Sequence, residues 1–530
     1  MRLSTPVIVA ITGFCILLLA LFCTSVIFPQ LENYLIRKET AFVEGSKTFE
    51  SWKKIPFPFK LKVYFFNVTN VDDFQMGAKP IFKEIGPYVY DEFREREILS
   101  ISEDNDTVKY NQKKTYFFNR EESGCRTEED TVTIVNTAAV GIAHKIFKLA
   151  PDAMDIVNDA LPYLFPGIRN IFVTSSVRNI LFDGVKMSCE SEEVLMICDG
   201  LKSRRPASIR TAENNRDYLI AIFHHMNGTA DGPYEIKRGL KDSNKGQVVW
   251  FKENNMLTQW NGDCNTIRGT DLTLNPNLNE LPKKIYFFAA DFCRSFSVKF
   301  DQEVVYLGLK SYKFKNSNLF HIEKNCFCDK NPDNEAPGCT PDGTMDVSPC
   351  TGSSVIISQP HFLNGQKSLL DYTQGLTPNE HKHGTFIIME PKTGLALAVK
   401  TRFQMNVYLQ NFDDVDLLAN VSAGFFPFLW LENGAEVPHS IIDEIRENFN
   451  KLMVFDAIKY LLIVLGAILL AVSIILAMNQ DKVLCFTSKS NSVGATQNNQ
   501  IAKIMNLNSN NIALARNWEN INNATWKIVE

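Results

Sequence analysis

Nowhere in its 530 residues does the chain carry a Gly-x-Ser-x-Gly elbow, a His-Glu-x-x-His pair or a phosphate-binding loop. The short signatures of a serine hydrolase, a zinc protease and a nucleotide enzyme are therefore all missing, and no enzyme activity is expected. No long basic run occurs and the formal net charge is only −5, which argues against a nucleic-acid partner. Between residues 29 and 457 there is neither a Pro/Gly/Ser-rich linker nor an internal repeat, so that stretch is expected to fold as one large domain. Two runs, 7–28 and 460–478, lack charge altogether. Each is long enough to cross the hydrocarbon core of a bilayer.

The first run is longer than the apolar part of a usual signal peptide, and Leu21-Phe22-Cys23-Thr24-Ser25-Val26 offers no small-x-small cleavage site. It reads as an uncleaved anchor. The second run holds a dozen Leu, Ile and Val residues with Lys459 at its edge, where the alkyl stem can lie in lipid while the ammonium reaches the headgroups. Two spans put both termini on one side. The flanking charges Arg2, Lys482, Arg37, Lys38 and Lys451 compete, but four sequons, at Asn67, Asn105, Asn227 and Asn420, all lie between the spans. They place that segment in the secretory lumen or outside the cell, with glycans on it. The expected organisation is a cytoplasmic N-terminus 1–6, a span 7–28, an ectodomain 29–457, a span 458–478 and a cytoplasmic tail 479–530. The tail is rich in Asn and Gln and reads as disordered. Cys485 in it is a palmitoylation candidate, and the sequon at Asn523 should be unused.

A hydrophobic content of 45% with 11% aromatics is enough to bury a large core. Lys60-Leu61-Lys62-Val63-Tyr64-Phe65 alternates as a strand does, as do the residues around Phe403, Met405, Val407 and Leu409. Residues 386–389 and 395–399 flank Pro391-Lys392-Thr393-Gly394, which reads as a hairpin turn. Pro151 can open a helix with Met154, Val157 and Leu161 on one face and Pro162 ending or kinking it. A second short helix is expected over 176–182, ending near Gly184. Of twelve cysteines, Cys15 and Cys23 lie in the first span and Cys485 in the tail. Nine remain between the spans, so at least one is unpaired or intermolecular. The cluster Cys264, Cys293, Cys326, Cys328, Cys339 and Cys350 in an oxidising compartment points to disulfides rather than a zinc site.

On Gly86-Pro87-Tyr88, Asp291-Phe292-Cys293-Arg294-Ser295, Cys326-Phe327-Cys328, Pro360-His361-Phe362-Leu363 and Asn379-Glu380, the chain resembles the class B scavenger receptor family from anchor to anchor. Leu240-Lys241 after Lys237-Arg238-Gly239, Cys264 before Arg268-Gly269-Thr270-Asp271, and the extra pair Cys189 and Cys198 make it most similar to the insect sensory neuron membrane protein branch. The resemblance implies an α+β fold, a β-rich barrel-like ectodomain with an apical helical bundle, flanked by two transmembrane helices and traversed by a hydrophobic tunnel. It also implies the pairs Cys264–Cys326, Cys293–Cys350, Cys328–Cys339 and Cys189–Cys198, leaving Cys125 as the odd thiol. Scavenger members carry a lysine pair in the bundle for anionic lipid and lipoprotein. Pro166-Gly167-Ile168-Arg169 departs from that pattern, offering Arg169 alone, which argues against lipoprotein scavenging.

The expected function is a cell-surface receptor and transporter for hydrophobic ligands, fatty acids or lipid-derived pheromones. It would deliver them through the tunnel to the membrane or to an odorant receptor complex in sensory cilia, with an odorant-binding protein as a possible donor. Met154, Val157 and Leu161 are the expected tunnel entrance. The alternative is a scavenger-type lipid or protein-ligand receptor in non-sensory tissue. No cofactor is expected. His381-Lys382-His383 and His224-His225 have no acidic or cysteine ligands at suitable spacing, so no metal is expected there. Lys202-Ser203-Arg204-Arg205 reads as a solvated basic loop.

Overall fold

The computed structural model describes residues 4–489 apart from 204, 279, 317–318, 322–323 and 329–338. The tail from residue 490, with Asn523, and the side chain of Cys485 lie outside the described residues, as does Arg204 of the basic loop. Two helical stretches, Thr5–Glu39 and Ala457–Asn479, are long and apolar enough to cross a membrane. The first continues through a π turn at Cys23–Ile27 into Phe28–Glu39, well past residue 28, and it carries Pro29 within it, the missing N–H of the proline falling just after the π turn. Gly13 and Gly466 let the two apolar helices touch. A Cβ on Gly13 would lie 2.9 Å from Leu469 Cβ, and one on Gly466 would lie 3.0 Å from the Leu17 nitrogen, the close approach that small residues permit between helices in lipid.

Residues 30–453 form the second compact unit. Its framework is a thirteen-stranded sheet in which eleven strands run as one continuous path. From edge to edge these are Val248–Phe251, Ala230–Lys237, Thr107–Phe118, Phe82–Ser102, Phe59–Val68, Gly424–Glu436, Ala396–Leu409, Phe386–Met389, Leu309–Lys315, Arg294–Tyr306 and Lys284–Ala289. All neighbours are antiparallel. The two edges nearly meet. Val248 N–H donates to Gly269 O at 3.0 Å and Phe288 N–H to Thr270 O at 2.8 Å, so a two-residue patch bridges the two edge strands and nearly closes the sheet into a barrel. Gly269 is required there: its φ is +89° and a Cβ would sit 2.1 Å from Tyr286 O.

The strand period is visible in the packing. In Phe59–Val68, Leu61 and Val63 are buried while Lys60 and Lys62 reach outward. Phe386–Met389 and Ala396–Leu409 form the expected hairpin with Phe386 opposite Lys400 and Ile387 opposite Val399, turned through Gly394 at φ +75°. Beside the barrel stands a helical bundle of Thr137–Leu149, Met154–Leu164 and Leu195–Ser203. Asn136 caps the first helix by accepting the Ala139 N–H at 3.1 Å. Pro162 sits in the last turn of its helix, which ends two residues later at Leu164, and the burial of Leu161 and Leu164 offsets the bond its missing N–H cannot make. The short helix expected over 176–182 is present over 177–183, its last five residues, Asn179–Asp183, forming a π turn that ends at Gly184. The residues before it, Phe172–Ser176, pair as a strand with Thr131–Val135.

Four disulfides join Cys189 to Cys198, Cys264 to Cys326, Cys293 to Cys350 and Cys328 to Cys339. Cys125 is an exposed free thiol. The second and third bridges close loops of 62 and 57 residues and interleave. In the chain-entropy account each stabilises the fold by about 4 kcal/mol.

Candidate ligand conduit

A continuous cavity of about 960 Å³ opens between two helices and runs along the inner faces of the barrel strands. The helix Thr137–Leu149 gives it Ala138, Gly141, Ile142, Lys145, Ile146 and Leu149, the spacing of one helical face. Facing them are Met196, Ile197, Gly200 and Leu201 of Leu195–Ser203. Leu149 is 68% exposed and Met196 60%. These apolar side chains standing in solvent at the border of an apolar cavity mark its mouth. Deeper in, Phe292, Phe296, Phe320, Phe403, Phe428 and Leu431 form the wall, with the Cys293–Cys350 disulfide beside them.

The apolar wall is crossed by a polar belt. On Phe82–Ser102, Glu92 and Arg94 point inward at the two-residue period, and on Thr107–Phe118 so do Gln112, Lys114 and Tyr116. Pairing places Glu92 opposite Tyr116 and Arg94 opposite Lys114. Arg94 Nε donates to Glu92 Oε1 at 2.5 Å, and Asn433 Nδ2 donates to Glu92 Oε2 at 2.7 Å. Burial pushes the Glu92 carboxyl up, but the Arg94 charge prevails and holds it below the usual range. Burial and Glu92 together push the Tyr116 phenol far up, so it stays protonated. Lys114 Nζ lies 3.2 Å from Asp291 Oδ2, and Arg402 Nη2 lies 2.6 Å from Glu432 Oε2. Burial likewise pushes the Asp291 carboxyl up and Lys114 brings it below its ordinary value. Every belt cation thus faces a carboxylate. Gln112 is 8% exposed and its Oε1 has no hydrogen-bond partner among the described residues. Burial lowers the affinity of His225 for a proton, keeping that ring neutral on the wall.

The expected site residues fall as follows. Met154, Val157 and Leu161 are 3%, 0% and 1% exposed and none borders the cavity. The entrance expected on them is corrected, since their stripe packs into the core cluster beneath the bundle. Asn105, Asn227 and Asn420 are exposed and Asn67 is half-buried. His224 and His225 are brought near the cavity, whereas His381 is exposed and His383 buried in a separate cluster with His361 and Glu84. The belt was missed in the sequence. Its only signal is period-two polarity in residues 92–94 and 112–116, which is also the signal of an ordinary wet strand face.

A match to the CD36 family covers residues 11–477. The chain is 35% identical over 491 residues to "Sensory neuron membrane protein 2" of Heliothis virescens, covering 90% of this chain and 94% of that one. It is 32% identical to the protein of the same name from Manduca sexta with the same coverage. To "Sensory neuron membrane protein 1" of Apis mellifera it is 31% identical, covering 90% and 92%.

Proposed function

Since this chain is a two-pass membrane protein that belongs to the CD36 family, we propose that it is a surface receptor and transporter that takes long-chain, lipid-derived ligands from solution and delivers them through the conduit. The observation that carries this reading is the apolar cavity of about 960 Å³ with Leu149 and Met196 exposed at its mouth. That size matches ordinary ligand pockets, roughly 300–1,000 Å³. Moving an alkyl chain out of water gains about 0.8 kcal/mol per methylene, so such a wall lowers the barrier to delivery with no bond chemistry. The mouth lies between Thr137–Leu149 and Leu195–Ser203. The names of the relatives support a role in sensory neurons, which makes pheromones and other odorants the ligands, fatty acids the competing class, an odorant receptor complex the recipient and an odorant-binding protein the donor. In this reading both tails are cytoplasmic and Asn67, Asn105, Asn227 and Asn420 carry glycans on the outer side.

Gly141 gives the test. It sits on the cavity wall in mid-helix, and the nearest atom to a Cβ there would be Ser354 Oγ at 3.9 Å. Gly141→Trp therefore fills the conduit without a clash at the backbone and improves the local helix propensity. Delivery of a long-chain ester should fall at least about tenfold while surface abundance holds, a difference of about 1.4 kcal/mol. Unchanged delivery at unchanged abundance would overturn the conduit.

A further inference from the structure

Outside the conduit, four segments far apart in sequence meet at two histidine rings. His361 lies in the connection that leads from Ile356–Ser358 to Phe386–Met389, and its backbone takes the left-handed region at φ +54°, followed by Phe362 at +52°. His383 ends the turn Glu380–His383. Both are buried. Their rings stack with centroids 4.2 Å apart at 4°, and the edge of Trp430, from Gly424–Glu436, meets His383 at 5.5 Å. Glu84 of Phe82–Ser102 completes the group: its Oε2 lies 2.6 Å from His361 Nε2 and accepts from Trp430 Nε1 at 2.8 Å.

The hydrogen bonds fix where the protons are. His361 Nδ1 accepts the Thr377 N–H at 3.0 Å, and His383 Nδ1 accepts the Asn379 N–H at 3.1 Å. A backbone N–H can only donate, so each neutral ring carries its proton on Nε2. This arrangement argues against reading Glu84, His361 and His383 as a metal centre. A metal-ligating imidazole offers a bare nitrogen to the ion and donates its other N–H to an acceptor. Here the inward nitrogens carry hydrogen, the outward ones face donors, and parallel rings do not converge on one point. What the rings can bind is a proton, and on each ring it can go only to Nδ1, whose lone pair already accepts from Thr377 or Asn379.

We propose that the stacked pair His361 and His383 is an acid-released clasp that holds residues 359–384 against the conduit wall. Adding a proton to either ring sets N–H against N–H and breaks the backbone bond that shapes its loop. Adding one to both places two cations face to face. The surroundings decide how much this is resisted. Facing His383 are His361, Glu84, Arg402 and Lys382. Arg402 is answered by Glu432, and Glu380 shares the turn. Burial, with His361 and the cations adding to it, pushes His383 down to about 4. Burial pushes the Glu84 carboxyl up, yet hydrogen bonds from His361 and Trp430 hold it below its usual range, so the clasp keeps one anion. The sign follows: an unfolded or released His383 binds protons more readily than the clasped one. The stabilisation is whole above about pH 6.5 and is lost as pH falls toward about 4. The release would be felt inside the conduit, because Arg402 of the cavity wall donates to the carbonyl of Gly384, the residue next to His383.

Hydrogen exchange on the full chain in lipid nanodiscs, corrected for the pH dependence of intrinsic rates, tests this near pH 7.5 and about pH 5. Peptides within 359–384 should lose at least about tenfold protection on acidification, while peptides within 107–118 keep theirs. The chain with both His361→Gln and His383→Gln should give the same protection at the two pH values. Equal protection of the native chain at both, or an acid response that survives the double substitution, would overturn the clasp. So would added zinc that protects 359–384 at neutral pH and is reversed by a chelator. If the double variant fails to reach the membrane, the native chain decides on its own. None of these results depends on ligand passage, so the clasp and the conduit stand or fall separately.

Discussion

Asp291 and Lys114 face one another on the conduit wall, and the charge the belt presents to a ligand turns on such pairs. With Arg94, Lys114 and Arg402 each matched to a carboxylate, a fatty carboxylate entering the belt meets cations that are already paired and leaves its hydration shell behind. An ester, aldehyde or alcohol of the same chain length loses far less water. Asp291→Asn removes one anion and leaves Lys114 unpaired. The expected outcome is that uptake of a long-chain acid rises several-fold relative to its methyl ester, with the ester itself little changed. Competition between the two labelled ligands at matched surface abundance measures it, and an unchanged ratio refutes the role given to the belt. Cys125, the odd thiol by count, is a plain surface residue.

At the scale of elements, what could be read from the sequence was whatever local chemistry decides. The alternation at Leu61 and Val63 names a strand, and Pro391-Lys392-Thr393-Gly394 names a turn, because a two-residue period and a left-handed glycine have few other uses. The polar belt could not be read in the same way. Glu92, Arg94, Gln112 and Lys114 alternate as a solvent-facing strand would, and only closure of the sheet, made by residues far away, turns that face inward. The stripe Met154, Val157 and Leu161 was ambiguous for a related reason: an apolar face states that it avoids water, not whether it meets core or cavity. Closure itself hangs on Gly269 and Thr270. Gly269→Ala would drive a Cβ into Tyr286 O and hold the wrong φ. It should destabilise the barrel by several kcal/mol, seen as immature glycosylation and low surface abundance, whereas Gly200→Ala, at a helical position with nothing within 4 Å of the new Cβ, should cost much less. Equal abundance of the two variants would show that the patch does not close the sheet.

For the whole molecule, the two apolar helices and the four sequons between them set the topology expected of the intact chain. Glycosidase should lower the apparent mass, and protease added outside intact cells should spare a tag placed after Glu530. Loss of that tag would invert the assignment. The barrel also carries a timetable. Lys60 pairs with Gly434, so the strand Phe59–Val68 leaves the ribosome some 370 residues before its neighbour Gly424–Glu436. At roughly 5–20 residues per second this is a wait of about 20–75 seconds. For that interval a strand rich in Phe and Val has one ladder unmade, a template for wrong partners in a crowded lumen. The sequon at Asn67 lies on this waiting strand, and a sugar added there during synthesis would shield it until its neighbour arrives.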